Sequence, residues 1–306
     1  MALTIGTMKV GVQLPEVERE VSWREISDIA RSAEEGGLDS VWVGDHLLYR
    51  DASGTRGPWE AWSLLAALGE ATERVELGPL VAATSFHSPA MIAKKAATID
   101  EISGGRLILG LGAGWNRVEY QAFGFPYDQR VSRFEEALEV IATLIREGSI
   151  DFAGRFYTFK DLELVPRARP DLKLMVGSNG PRILRIALGV VDMWNTWYTH
   201  YHNDPAELAK LIRKVDEACL DVGRDPGEIA RTAAVYVQLP GGTGRLAGDP
   251  TAREQAPPLA GSRQQIAEGL TDFQAMGIEH LQVVLDPIDS PSVRELGEAV
   301  ALLRSG

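Results

Sequence analysis

Residues 75–112, VELGPLVAATSFHSPAMIAKKAATIDEISGGRLILGLG, hold one complete strand–helix–strand unit. Val75 to Val81 is a short apolar run bounded by polar residues, which reads as a strand. Ser88 and Pro89 supply a cap and a first-turn proline, and Ile92, Ala96 and Ile99 recur on one helical face. Gly104-Gly105 stops that helix, and Leu107 to Gly112 is the next strand. Two strands joined by a helix lie parallel, because the crossover carries the chain back to the end where it began.

The same unit repeats in both directions. Upstream, Lys9 to Leu14 and Ser40 to Gly44 read as strands, separated by a helix that opens on a Ser22/Glu25 capping box. A second helix is expected from Pro58 through Leu68. Downstream, Lys173 to Val176, Met193 to Thr196, Thr232 to Val237 and Leu281 to Leu285 are strands. Their helices open at Pro181, Asp204-Pro205, Ser262 with Gln265 three residues on, and about Pro291. Eight such units predict a single (β/α)8 TIM barrel over residues 1–306, with an open doubly wound sheet as the alternative. Phe152 to Leu164 reads as a hairpin insertion. Pro240 to Gly261 is a long Gly/Pro/Ala-rich loop after strand seven, read either as a lid over ligand or as disorder.

Composition narrows the partners. With 43 acidic against 31 basic residues the net charge is −12, which repels nucleic acid and anionic membranes. The expected partner is a small molecule. No run of about eighteen apolar residues is present for a membrane span, and the first eight residues lack the pattern of a secretory signal. The single cysteine, Cys219, lies among the apolar positions of a helix and fits a reducing cytoplasm.

A barrel of this type places its site on the strand C-termini and the loops after them. Read off the sequence, that rim presents Gln13, Asp45-His46, Ala82 to His87, Gly112 to Asn116, Gly177 to Gly180, Asn195 to Trp197, Gln238 and Asp286. Small residues, amides and aromatics dominate, which suits a flat conjugated ligand. His46 is the candidate catalytic residue, since imidazole titrates near neutrality; a structural histidine held by Asp45 or a backbone carbonyl is the alternative. Gly177-Ser178-Asn179-Gly180 precedes a helix start, where unpaired backbone N–H groups attract phosphate, although a plain tight turn needs the same glycines. Gly110 to Gly114 lacks the third glycine in register for a dinucleotide fingerprint, has no acidic residue at the right place after a following strand, and reads as a close-packed strand end against a planar ligand. His87 is a weaker candidate. His200 and His202 have no carboxylate or cysteine at ligand spacing, so they read as loop histidines and no metal is expected; His280 reads as structural.

The stretch SVWVGDHL, residues 40–47, resembles the second-strand motif of the bacterial luciferase-like oxidoreductases. Leu77 to Trp115 resembles their most specific signature, in the wording of the branch that uses the deazaflavin coenzyme F-420. The resemblance implies a (β/α)8 barrel that holds F-420, or alternatively FMN, at the strand C-termini. It places the ring near Asp45, His46, Val81, Ala82, Ala83, Gly112, Ala113, Gly114 and Trp115, and the phosphate at Gly177, Ser178, Asn179 and Gly180. It implies hydride transfer to or from a small organic substrate, with an FMN-dependent monooxygenase or a non-catalytic flavin-binding protein as alternatives. It further implies a homodimer formed through the helices after strands two and three, and a non-prolyl cis peptide expected at Pro79–Leu80. The branch acting on sugar phosphates carries a glutamate where this chain has Trp115, so that substrate is not implied. An acidic F-420 tail calls for local cations, for which Arg56, Lys94, Lys95, Arg130 and Arg182 are the candidates.

Overall fold

The computed structural model describes residues 8–51, 54–244 and 256–305. Its main sheet contains β1 (Lys9–Gln13), β2 (Ser40–Val43), β3 in two pieces (Glu76–Pro79 and Ala82–Ala83) and β4 (Ile108–Gly112). It continues through β5 (Lys173–Gly177), β6 (Met193–Thr196), β7 (Ala230–Gln238) and β8 (His280–Asp286). All neighbours pair in parallel, in the order β3-β2-β1-β8-β7-β6-β5-β4. Glu76–Pro79 pairs with β2, whereas Ala82–Ala83 pairs with β4, so the divided third strand closes the ring. A bridge between Leu77 and Leu107 seals the same seam. The sheet is therefore a barrel, as the count of units predicts.

Helices α1 (Trp23–Glu35), α2 (Ala61–Ala71) and α3 (Pro89–Ile102) follow the first three strands. After β4 come α4 (Arg117–Phe123) and α5 (Arg130–Arg146), then α6 (Pro181–Ala187), α7 (Pro205–Asp221), α8 (Arg263–Ala275) and α9 (Ser290–Ser305). Local chemistry sets their starts. Ser262 and Gln265 form both halves of a capping box, and Asp204 accepts from the Ala206 N–H ahead of Pro205. At α1 only half of the expected box forms: Ser22 Oγ accepts from Glu25 N, while the Glu25 carboxylate turns to Arg19. The second helix begins three residues later than expected, because Glu60 caps it by accepting from Trp62 N and Ser63 N.

Buried leucine, isoleucine, valine and alanine side chains from strands and helices form the layer between sheet and helix ring, with Cys219 fully buried among them. Inside the barrel, Trp42, Ile108, Met175 and Met193 pack together. Trp42 Nε1 donates to Ser40 Oγ at 2.7 Å, and Ser40 Oγ lies 2.7 Å from His280 Nε2. Burial, aided by Lys9, pushes the His280 imidazole down to about 3, so it stays neutral as a structural acceptor. The insertion after α5 is an antiparallel pair, Ser149–Ala153 with Thr158–Glu163. Half of the Pro240 to Gly261 loop, residues 245–255, lies outside the described residues, as do residues 1–7, so neither expectation is addressed there. Among the described residues, no helix is long and apolar enough to cross a membrane.

Candidate active site

The division of β3 shapes the cavity. The non-prolyl cis peptide lies at Leu80–Val81, one bond later than Pro79–Leu80, and separates the two pieces of the strand. Val81 then points at neighbouring glycines. A Cβ on Gly110 would stand 2.9 Å from Val81 Cγ1, one on Gly112 2.7 Å from Val81 Cγ2, and one on Gly177 2.9 Å from both methyls. Gly110 and Gly112 thus serve this close approach first: with Gly177 of β5 they admit the valine, and valine on glycine makes a smooth floor, whereas Gly114 lies against Tyr120.

Above that floor opens a cavity of about 580 Å³ at the strand C-termini, within the range of cofactor sites. Its lining contains Asp45, His46, Val81, Ala83, Gly112, Ala113, Gly114, Trp115, Gly177, Ser178, Asn179 and Gly180, as the sequence reading anticipates. Ala82 is the exception. It is fully buried in the core cluster, because the strand's alternation turns its side chain away from the opening. Gln13 and Asn195 also line the cavity, while Gln238 and Asp286 do not; those two bond each other at 2.9 Å, and Gly244 N donates to Asp286 at 2.8 Å.

His46 sits between carboxylates. Its Nδ1 is 2.8 Å from Glu119 Oε1, and its Nε2 is 3.9 Å from Glu16 Oε1. Glu119 is 1% exposed, at the start of α4, and also accepts from Asn116 Nδ2 at 2.6 Å. Glu16 accepts from Gln13 Nε2 at 2.6 Å and from Tyr49 OH at 2.8 Å. Burial pushes the His46 imidazole down, but Glu16, the Glu119 hydrogen bond and Asp45 outweigh it and hold the pKa above its ordinary value. The ring is further framed by Tyr49 at 4.8 Å and Trp115 at 5.5 Å between centroids. Asp45 behaves in the opposite sense. Burial drives its carboxyl up to about 7, only partly offset by the Ala83 N–H that it accepts at 2.9 Å and by His46. Asp45 thus bonds to Ala83, and its charge only biases His46.

Across the cavity, Asn179 Nδ2 donates to Thr196 Oγ1 at 2.8 Å and meets His200 Nδ1 at 2.9 Å. His200 lines the cavity from its exposed side, with its pKa shifted down by partial desolvation, so it contributes to the cavity rim through Asn179. His202 is exposed on the turn that follows. Ser178 Oγ accepts from Gly180 N at 3.1 Å, which occupies one of the amides at the start of α6. His87 lies outside the cavity lining, beside Lys95 at 3.2 Å, with its pKa pushed down to about 4 by burial and by that lysine. Lys94 donates to the Val165 carbonyl, and Arg182 pairs with Glu135. Glu16, Glu119, Tyr49 and His200 escape a strand-end reading. The one sequence signal for Glu119 is its position three residues after Asn116, at a helix start.

These features place the chain among barrels whose chemistry lies on the C-terminal rim of the strands. The family model of luciferase-like monooxygenases matches residues 4–240, and the chain belongs to that family. An F-420-dependent glucose-6-phosphate dehydrogenase of Amycolatopsis mediterranei is 34% identical over 169 residues, 54% of this chain and 50% of that protein. Pyrimidine monooxygenase RutA of Methylorubrum extorquens is 32% identical over 206 residues, 64% of this chain and 56% of that one. The chain matches about half the length of the first of these relatives. Among solved structures, an F-420-dependent secondary alcohol dehydrogenase, in complex with an F-420–acetone adduct, superposes with a TM-score of 0.82 at 20% identity. That match covers 98% of this chain and 100% of the other. EDTA monooxygenase of Chelativorans gives a TM-score of 0.79 at 15% identity, over 98% of this chain and 94% of the other. At these identities the superpositions establish the shared fold.

Proposed function

We propose that this chain is an oxidoreductase that works with coenzyme F-420 on a small organic substrate, with His46 as the group that gives or takes a proton. The observation that carries the reading is His46, held between Glu119 and Glu16 at the edge of a flat, glycine-floored cavity. The residues fit a planar ring: Leu80, Val81, Ala83 and Ala113 give apolar walls, and Asp45 braces the Ala83 amide. When bound, the deazaflavin supplies hydride chemistry at its carbon 5. The protein orients, excludes water and manages the proton. Glu119 fixes the His46 ring through Nδ1 and favours its protonated form, which leaves Nε2 for proton exchange. The Gly177–Gly180 turn borders the cavity where the phosphate of the cofactor is expected. On the same reading two copies meet through α2 and α3, the latter leaving Met91 and Ile102 exposed.

A second reading, an FMN-dependent monooxygenase, is favoured by the monooxygenase relatives. Fluorescence titration with F-420 and with FMN, followed by turnover assays with each, tests the choice. Micromolar F-420 affinity with F-420-coupled turnover supports the first reading; FMN binding with none for F-420 replaces it with the second.

A further inference from the structure

The acidic chain gathers four arginines without carboxylate partners beside the cavity. Arg117 and Arg130 lie over the Tyr127 ring at 5.3 and 3.8 Å, and Arg133 and Arg155 lie over Phe156 at 4.4 and 5.2 Å. None of the four forms an ion pair among the described residues. The nearby acids are engaged otherwise. Glu136 accepts from the backbone N–H groups of Arg155, Phe156 and Tyr157 at 2.7, 2.9 and 3.1 Å, and Glu135 pairs with Arg182. Arg133 donates to the Asp128 carbonyl at 3.4 Å, a backbone group that leaves its charge uncompensated. Arg130 Nε donates to Gly114 O at 3.2 Å, and Gly114 lines the cavity, so the row starts at the cavity lip and runs to the hairpin tip.

Stacking on a ring holds a guanidinium in place without neutralising it, and its planar fork matches a carboxylate in two hydrogen bonds. A protein of net charge −12 repels anions at long range, so a dense local set of cations has a ligand to meet. We propose that Arg117, Arg130, Arg133 and Arg155 form a track that takes the acidic, carboxylate-bearing tail of the cofactor as it leaves the cavity. The inference rests on the F-420 reading above; FMN, which ends at its phosphate, has no such tail.

The test is an equilibrium fluorescence titration of the full chain with three forms of the deazaflavin. One carries the complete oligoglutamate tail, one is truncated after its phospholactate, and one ends at the ribityl chain. The complete form is expected to bind about tenfold tighter than the phospholactate form, with the advantage shrinking as salt rises. In the Arg133→Gln/Arg155→Gln double variant that advantage disappears, while the ribityl form binds as in the wild type. Equal binding of the complete and phospholactate forms would overturn the track, and so would an advantage that survives the double variant. If the phospholactate form, which carries a phosphate as FMN does, fails to bind where FMN binds, the F-420 reading itself fails and takes the track with it.

Discussion

Replacing Asp45 by asparagine tests whether the carboxyl beside His46 is as buried as its surroundings imply. Its pKa rises from 3.8 to about 7, so the folded chain retains a proton that the unfolded chain has already lost over most of that interval. The sign follows from linkage: the stability associated with this group is full below pH 4 and is lost as pH rises through 7. At 1.36 kcal/mol per pKa unit, the folded state loses about 2.5 kcal/mol between pH 5 and pH 8 because of this group. Full burial means solvent screening does not shrink that figure. Asparagine keeps the shape and an oxygen to accept the Ala83 N–H, but it does not titrate. Urea denaturation of both proteins at pH 5 and pH 8 is the assay; titrating groups remote from Asp45 cancel in the comparison, while His46, whose pKa the Asp45 charge helps raise, is titrated separately in both proteins. The variant is expected to gain about 2.5 kcal/mol on the wild type between the two pH values. Parallel pH dependence in the two proteins would show that Asp45 is solvated, and the description of the cavity wall would be wrong.

Three other substitutions probe the site and its floor. His46→Ala is expected to lower turnover by roughly a hundred- to ten-thousand-fold while cofactor affinity stays within a few-fold, measured by steady-state assay and by titration. Glu119→Gln removes the charge at His46 Nδ1, so the imidazole pKa falls and whichever limb of the pH–rate profile His46 governs moves to lower pH; unmoved limbs would detach Glu119 from the proton chemistry. Gly110→Ala places a Cβ 2.3 Å from the Pro79 carbonyl oxygen and 2.9 Å from Val81 Cγ1, an overpacking that costs about 1–3 kcal/mol in urea unfolding.

The barrel was legible because each unit carries its own punctuation. Met193–Thr196 falls on the expected residues, and Ser262 with Gln265 caps α8 as the spacing predicts. These signals are local, and local chemistry is what a sequence displays directly. Most cavity residues were legible too, since a parallel barrel ties strand ends to one rim. Glu16 and Glu119 were not. They lie beyond the strand ends, in a loop and on a short helix, and only the folded ring brings them to His46 from positions 30 residues before it and 73 after it. Ala82 reads together with its neighbours although strand alternation turns it to the core while Val81 and Ala83 face the cavity, and the position of the cis peptide at Leu80–Val81 leaves no mark in the periodicity. His200 read as a bystander because its partner, Asn179, belongs to a different strand end.

The most direct measurement is a structure of the chain with F-420 bound. The ring is expected against Val81 and Ala113, with His46 Nε2 within about 3 Å of a bound proton donor or acceptor and Nδ1 still on Glu119. A ring seated elsewhere, or an imidazole turned away from it, would contradict the role given to His46 and the proposal built on it.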